Sequence, residues 1–426
     1  MLVTQIASTM NLKSFFTISL IFVFAFLSCT KDKDPDEMPP PDGVDPPVVI
    51  PEPEPEPEPE TNLVNIMDYY KFTGRILKLI ADTNTPTPLD FEFHNVDALK
   101  VVYNTIDHNQ KETVASGILL IPEKEGKLPL LSFQHGTLLE PEMAPSVSKF
   151  GNNELTLAAV MASSGIITIV PDYLGYGNSP LPRHPYEHKS TLAQASYDMI
   201  KAAKSHLENE KIATNDSLFI AGYSEGGFAT IALQQLLEAK DELNLIQSYA
   251  GAGAYNKTAF TKMILESKSE QAHMGYYLWV LYTYNTLYAS LQRPWKEYVN
   301  DPYASSLEAV NDFNAPLHDS LYTKVPEELF TSKFIQGINN DTDTAFLSVL
   351  EDNNVYDWKP KNPIALFHSK NDSLVDIINS ETMLKAIENQ GGKISLTLID
   401  AENHRAAAIP FYLAVLHHIM EQHNQK

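Results

Sequence analysis

Cysteine is almost missing from this chain. Among its 426 residues only Cys29 is present, so no disulfide can form within one molecule. Basic residues are scarce as well, 31 Lys and Arg against 54 Asp and Glu. The resulting net charge of −23 argues against binding a nucleic-acid backbone, which needs clustered cations. No apolar run is long enough to span a bilayer. The most apolar stretch, Phe15 to Leu27, has 13 residues, where a spanning helix needs about 20. No repeat with a period of about 20–50 residues is visible, which excludes a solenoid or propeller. What is there is 43% hydrophobic residues, enough for a substantial core, so whole-chain disorder is excluded.

Lys13 stands just ahead of the apolar stretch, whose length suits the core of a signal peptide. Phe26-Leu27-Ser28-Cys29 resembles a lipobox, at which bacteria acylate a cysteine and cleave before it; Phe26 replaces the preferred leucine. The expectation is a lipoprotein-type signal peptide over residues 1–28, with Cys29 as the lipidation site and Met1 or Met10 as the start. An incidental cysteine beside a short membrane anchor is the alternative. Residues 29–61 then read as an acidic tether: eleven prolines lie in 30–60, which ends in PEPEPEPEPE. Proline fixes φ and like charges repel, so the segment is expected to be polyproline II, reaching roughly 90 Å at about 3.1 Å per residue. Thr30 to Asp34, acidic and next to Cys29, resembles signals that send lipoproteins to the outer cell surface in some Gram-negative bacteria. The expected location is therefore the bacterial cell envelope, lipid-anchored, at the outer membrane and exposed on its surface.

From about Asn62 the composition becomes globular. Strands are predicted at 98–106, 113–121, 128–134, 166–170, 217–221, 245–250, 363–368 and 393–399. Helices are predicted at 154–163, 191–207, 227–239, 376–389 and 405–422. Apolar strands alternating with helices imply an α/β fold with a mostly parallel, eight-stranded sheet covered on both faces. Residues 62–254 and 361–426 form this core. Residues 255–360 interrupt the alternation and are rich in aromatics, among them Tyr276, Tyr277, Trp279, Tyr282, Tyr284, Tyr288, Trp295, Tyr298 and Tyr303. An unstructured loop of that length would be unusual, so a helical cap insertion is expected, its aromatics mostly forming its own core.

The strand at 217–221 runs into Gly222-Tyr223-Ser224-Glu225-Gly226-Gly227, and a helix follows at once. At such a strand-to-helix turn small flanking residues avoid clashes, and the serine hydroxyl stands above a helix N-terminus. Serine needs a base, and the base a third group to orient it. His404 follows the last strand and Asp372 follows the strand ending at His368, giving the chain order Ser224, Asp372, His404. His404 is read as general base and acid, and Asp372 as the residue that fixes its tautomer. Asp376 and Asp400 are rival acids; Asp376 suits the start of the next helix, and Asp400 is too near His404 in sequence. His368 is read as packing beside the acid loop. The backbone N–H groups of Thr137, in Phe133-Gln134-His135-Gly136-Thr137, and of Glu225 are the candidate oxyanion donors. His135, Asp172, Tyr173 and Tyr223 are candidate substrate contacts, with structural roles as the competing reading for His135, Asp172 and Tyr173. His184 and His188 form an HxxxH, but Pro185 breaks helical spacing and no third ligand is near, so no metal site is expected.

The HGT loop, Val170-Pro171-Asp172-Tyr173-Leu174-Gly175-Tyr176-Gly177, GYSEGG, HSKND and the Asn403-His404 pair together resemble the α/β-hydrolase superfamily, and within it the secretory lipase and esterase branch. The resemblance covers roughly residues 98–420. It implies an α/β-hydrolase fold with a large helical lid before the acid-bearing strand, and a serine hydrolase needing no metal or organic cofactor. The expected activity is cleavage of carboxylic esters, of a small molecule or lipid, through an acyl-Ser224 intermediate. Two alternatives remain: a peptidase of the prolyl-oligopeptidase or aminopeptidase kind, and a non-catalytic surface binding protein.

Overall fold

The computed structural model describes residues 62–424 apart from 86–87, 149–152 and 311–312. The signal peptide and tether expected over 1–61, Cys29 included, lie outside the described residues. Three short segments, Leu128–Gln134, Ile167–Pro171 and Ile364–Ser369, are buried at every position. Strands without a solvent face belong inside a sheet covered on both sides. Nine strands among the described residues make that sheet: β1 (Leu63–Phe72), β2 (Val96–Ile106), β3 (Glu112–Pro122), β4 (Leu128–Gln134), β5 (Ile167–Pro171), β6 (Thr214–Tyr223), β7 (Leu245–Gly251), β8 (Ile364–Ser369) and β9 (Ile394–Ile399). Their spatial order is β1-β2-β3-β5-β4-β6-β7-β8-β9. From β5 to β9 all neighbours are parallel; β1, β2 and β3 add an antiparallel margin beside β5.

The expected eight strands are thus nine. The added one, β1, has the sequence LVNIMDYYKF, is exposed or half-buried along most of its length, and shifts register twice against β2. An edge strand with bulges and one wet face carries no regular apolar alternation, which is why its sequence does not announce it.

Side chains alternate between the two faces. On β6, Leu218 and Ile220 pack with the helices Lys189–Asn209 and Glu225–Lys240. Phe219, Ala221 and Tyr223 pack with Asn153–Ser163 and Ala408–Asn424 on the opposite face. The last helix starts at Ala408 rather than 405, because Asn403 Oδ1 accepts from Ala406 N at 3.0 Å and holds a turn there.

Between β7 and β8 the described residues form six α-helices, from Lys257–Glu266 to Thr344–Asp352. They share a core of their own in which Trp279, Tyr284, Tyr298, Phe334 and Phe346 are fully or nearly fully buried. Tyr186, from the segment after β5, and Val375, after β8, join that cluster. The helices therefore pack against loops at the carboxyl edge of the sheet.

Candidate active site

The strand order reverses around β4: β5 lies on one side of it and β6 on the other. In open parallel sheets, ligands bind at the carboxyl ends of strands beside such a reversal. β6 ends at Tyr223 and the next helix starts at Glu225, so Ser224 makes the turn alone, at φ 60° and ψ −125°. The flanking glycines are required by space. A Cβ on Gly222 would lie 2.3 Å from the Gly226 carbonyl oxygen, and one on Gly226 would lie 2.1 Å from that of Gln134. The Ser224 N–H donates to the Gly251 carbonyl at 2.8 Å, which fixes the turn to β7.

Asp372 and His404 meet as their positions after β8 and β9 imply. Asp372 Oδ2 and His404 Nδ1 are 2.6 Å apart. The other carboxylate oxygen accepts from the N–H groups of Leu374 (3.0 Å) and Val375 (2.9 Å). Burial alone would raise the Asp372 pKa, but hydrogen bonds from His368 and His404, the charge of His404 and the Val375 N–H outweigh it and hold the carboxyl below its usual range. His404 Nε2 is buried and has no hydrogen-bond partner among the described residues, so it is the ring nitrogen available to a serine hydroxyl. Tyr223 OH donates to the His404 carbonyl at 2.8 Å, and the two rings lie 5.1 Å apart. His368 sits under the acid loop, with Nδ1 at 2.7 Å from Ser380 Oγ and Nε2 at 2.8 Å from the Val375 carbonyl. The rival Asp376 accepts from Ile378 N at 2.8 Å, just ahead of the helix Ile378–Asn389.

The loop after β4 runs beside the serine: a Cβ built on Gly136 would be 3.8 Å from Ser224 Cβ. Gly136 N–H donates to Glu154 Oε2 at 2.6 Å, and Thr137 Oγ1 lies 3.0 Å from Tyr186 OH. Burial, with the nearby charge of Glu225, raises the Glu154 carboxyl to about 8. The Glu225 side chain is fully buried and meets His184 Nε2 at 2.7 Å, while His184 Nδ1 faces the Leu174 carbonyl at 2.8 Å. Both ring nitrogens thus face oxygens. The HxxxH histidines do not converge: burial lowers His188 to about 4, and its Nδ1 lies 3.1 Å from Thr191 Oγ1.

The remaining candidates have partners inside the protein. His135 is fully buried between the carbonyls of Gly136 (2.7 Å) and Asp172 (3.2 Å), and its ring is 4.2 Å from that of Tyr173. Asp172 accepts from Ser116 Oγ at 2.6 Å and Ser146 N at 2.8 Å. Tyr173 OH donates to the His135 carbonyl at 3.1 Å.

Ser224 opens into a cavity of about 70 Å³. Tyr186, Phe260, Tyr276 and Tyr277 are among its walls, and so are Glu187 and Lys257. A mostly apolar cavity of about 50 Å³ adjoins it, sharing Thr261, Ile264, Tyr277, Val280 and Leu350. A larger surface cleft of about 470 Å³, by Glu238 and Trp358, includes none of the three candidate catalytic residues. Glu154, Tyr186, Glu187, the Glu225 side chain and Lys257 went unread in the sequence. Each finds its partner from 18 to 70 positions away, and no local spacing marks such pairs.

The sheet, the turn at Ser224 and the helical insertion define an α/β-hydrolase fold. Residues 146–426 match the family model "secretory lipase", and the chain belongs to that family. It is a carboxylic ester hydrolase. A Legionella pneumophila protein provisionally called a hydrolase is 26% identical, with a TM-score of 0.75 over 84% of this chain and 97% of the other. The rice cell wall degrading esterase LipA from Xanthomonas oryzae has the same fold at 24% identity, TM-score 0.71, covering 85% and 97%. Candida antarctica lipase A follows at 14% identity, TM-score 0.56, covering 80% and 77%. A search of curated proteins finds no match.

Proposed function

We propose that the chain cleaves carboxylic esters through an acyl-Ser224 intermediate and that Cys29 carries a lipid anchor in the bacterial cell envelope. The observation that carries the catalytic part is the Asp372–His404 hydrogen bond of 2.6 Å, which leaves His404 Nε2 unpartnered at the carboxyl edge where Ser224 turns. His404 Nε2 takes the Ser224 proton as Oγ attacks the ester carbonyl. Asp372 holds Nδ1–H and stabilises the imidazolium that forms. The N–H groups of Thr137 and Glu225 receive the oxyanion; each such donor contributes on the order of 3 kcal/mol to lowering the barrier. His404 then protonates the departing alkoxide. Water, deprotonated by the same nitrogen, releases the acid and restores Ser224. The helical insertion acts as a lid whose aromatic wall receives an apolar portion of the ester. Tyr223, His135, Asp172 and Tyr173 are best assigned to holding the histidine and the two loops in register.

The test is hydrolysis of p-nitrophenyl esters, acetyl to palmitoyl, by the full chain and by Ser224→Ala. A drop in kcat/KM of at least about a thousandfold in the variant is expected. Retained hydrolysis in Ser224→Ala would sink the nucleophile assignment. For the anchor, labelled palmitate fed to expressing bacteria is expected in the wild type and absent from Cys29→Ala; equal labelling would refute it.

A further inference from the structure

Two charges stand where an ester pocket has no general need of them. Lys257 and Glu187 form an ion pair beside Ser224, with side chains only 4% and 9% exposed. Three local rules are broken to put them there. Glu187 takes a left-handed backbone, φ 51°, that a non-glycine residue adopts only at a cost. Lys257 is the first residue of the helix Lys257–Glu266, where the positive end of the helix dipole opposes a cation. Both charges leave water, and a buried pair often contributes no more stability than an apolar pair of the same size. Burial pushes the Glu187 carboxyl up and the Lys257 ammonium down, each opposed by attraction to the other. Sites that violate several local rules together are where function is expected to reside.

The pair is also incompletely used. Lys257 Nζ donates to Glu187 Oε2 and lies 4.0 Å from the centre of the Phe228 ring, one helical turn beyond Ser224. Among the described residues Nζ has no second hydrogen-bond partner, so N–H donors remain free. Glu187 lines the cavity, and among the described residues its Oε1 has no hydrogen-bond partner, the bond to Lys257 being made by Oε2. The Glu187 carbonyl accepts from Tyr284 OH at 3.0 Å, which pins its backbone to the helical insertion. One face of the cavity therefore offers a fixed acceptor beside a fixed donor. The other walls combine the aromatic Tyr186, Phe260, Tyr276 and Tyr277 with aliphatic residues such as Ile264 and Val280.

We propose that the Glu187–Lys257 pair is a hydroxyl-recognition subsite, and that the esters this protein prefers carry a hydroxyl on an otherwise apolar, aromatic group that enters this cavity. The inference rests on the esterase reading. A hydroxyl donates to Glu187 Oε1 and accepts from Lys257 at the same time, which matches the pair. A carboxylate would meet Glu187 as a like charge, and an ammonium would meet Lys257. A plain hydrocarbon would leave both ions desolvated without a new partner. Sites built to hydrogen-bond a substrate hydroxyl reject the analogue lacking it far more strongly than apolar pockets discriminate methylenes.

The experiment compares kcat/KM of the full chain on two matched pairs. Methyl 3-(4-hydroxyphenyl)propanoate is set against methyl 3-phenylpropanoate, and 2-(4-hydroxyphenyl)ethyl acetate against 2-phenylethyl acetate. The hydroxyl lies on the acyl side in one pair and on the alcohol side in the other. A preference of at least about tenfold for the hydroxylated member of one pair is expected. In Lys257→Met and Glu187→Gln the ratio is expected to fall toward one. Ratios near one in both pairs with the wild type would overturn the subsite, and that arm depends on no variant folding. A wild-type ratio that survives in folded variants would overturn it too, leaving the pair a structural strut. Absence of Ser224-dependent hydrolysis on any ester, the unsubstituted ones included, would instead remove the esterase reading, and the subsite with it.

Discussion

Glu154 shows how one side chain couples the site to pH. Its Oε2 accepts from Gly136 N–H, immediately before the proposed oxyanion donor Thr137, and burial raises its carboxyl to about 8. The folded pKa lies above the ordinary value of 4.5, so the native state keeps a proton that the unfolded chain has lost. Stability contributed by this group is therefore present at low pH and declines as pH rises from about 4.5 to about 8. Glu154→Gln keeps the acceptor and removes the titration. Relative to wild type, its melting temperature is expected to gain steadily between pH 5 and pH 8. Thermal melts at three pH values check this, and parallel curves for the two proteins would refute it. The proposed catalytic residues were legible in the sequence because their surroundings are local: GYSEGG must be small at Gly222 and Gly226, and HSKND and Asn403-His404 each follow an apolar strand. The Glu187–Lys257 pair was not, because charged residues 70 positions apart read as surface until the fold brings them together.

At the level of elements, the buried strands β4 to β8 were the most legible, since an all-apolar run bounded by turns has few other places to go. The helical insertion was legible as a mass of aromatics, but its attachment to the site was not. Trp279 stacks on Tyr186 at 3.9 Å with planes 7° apart, and Tyr186 OH reaches Thr137 Oγ1 at 3.0 Å. The insertion thus braces the proposed oxyanion loop through one stack. Trp279 Nε1 is buried without a partner among the described residues, so the indole N–H is a cost within the stack. Trp279→Phe, which keeps a ring and drops that donor, is expected to change stability by less than about 1.5 kcal/mol. Trp279→Ala is expected to cost about 3–5 kcal/mol and to lower kcat as Tyr186 loosens. Denaturant unfolding alongside ester hydrolysis separates the two effects; an alanine variant with full kcat would show that the stack does not support the loop.

At the scale of the whole molecule, ten described non-glycine residues have positive φ, and four of them lie at one edge. Tyr173, Glu187, Ser224 and Ala252 all have positive φ, and all four follow strands or loops at the carboxyl end of the sheet. The sheet beneath is apolar and buried, and its stability is what holds them in place. Ser224, at φ 60° and ψ −125°, occupies backbone space that suits glycine far better. Ser224→Gly is expected to raise global unfolding stability by about 1 kcal/mol while abolishing hydrolysis. Equilibrium unfolding of the two proteins measures it; an unchanged or lower stability would mean the turn is already relaxed. If the gain is found, selection for heat resistance alone, with no demand for turnover, would favour loss of the proposed nucleophile. The serine is kept at that turn by its chemistry, against the preference of its own backbone.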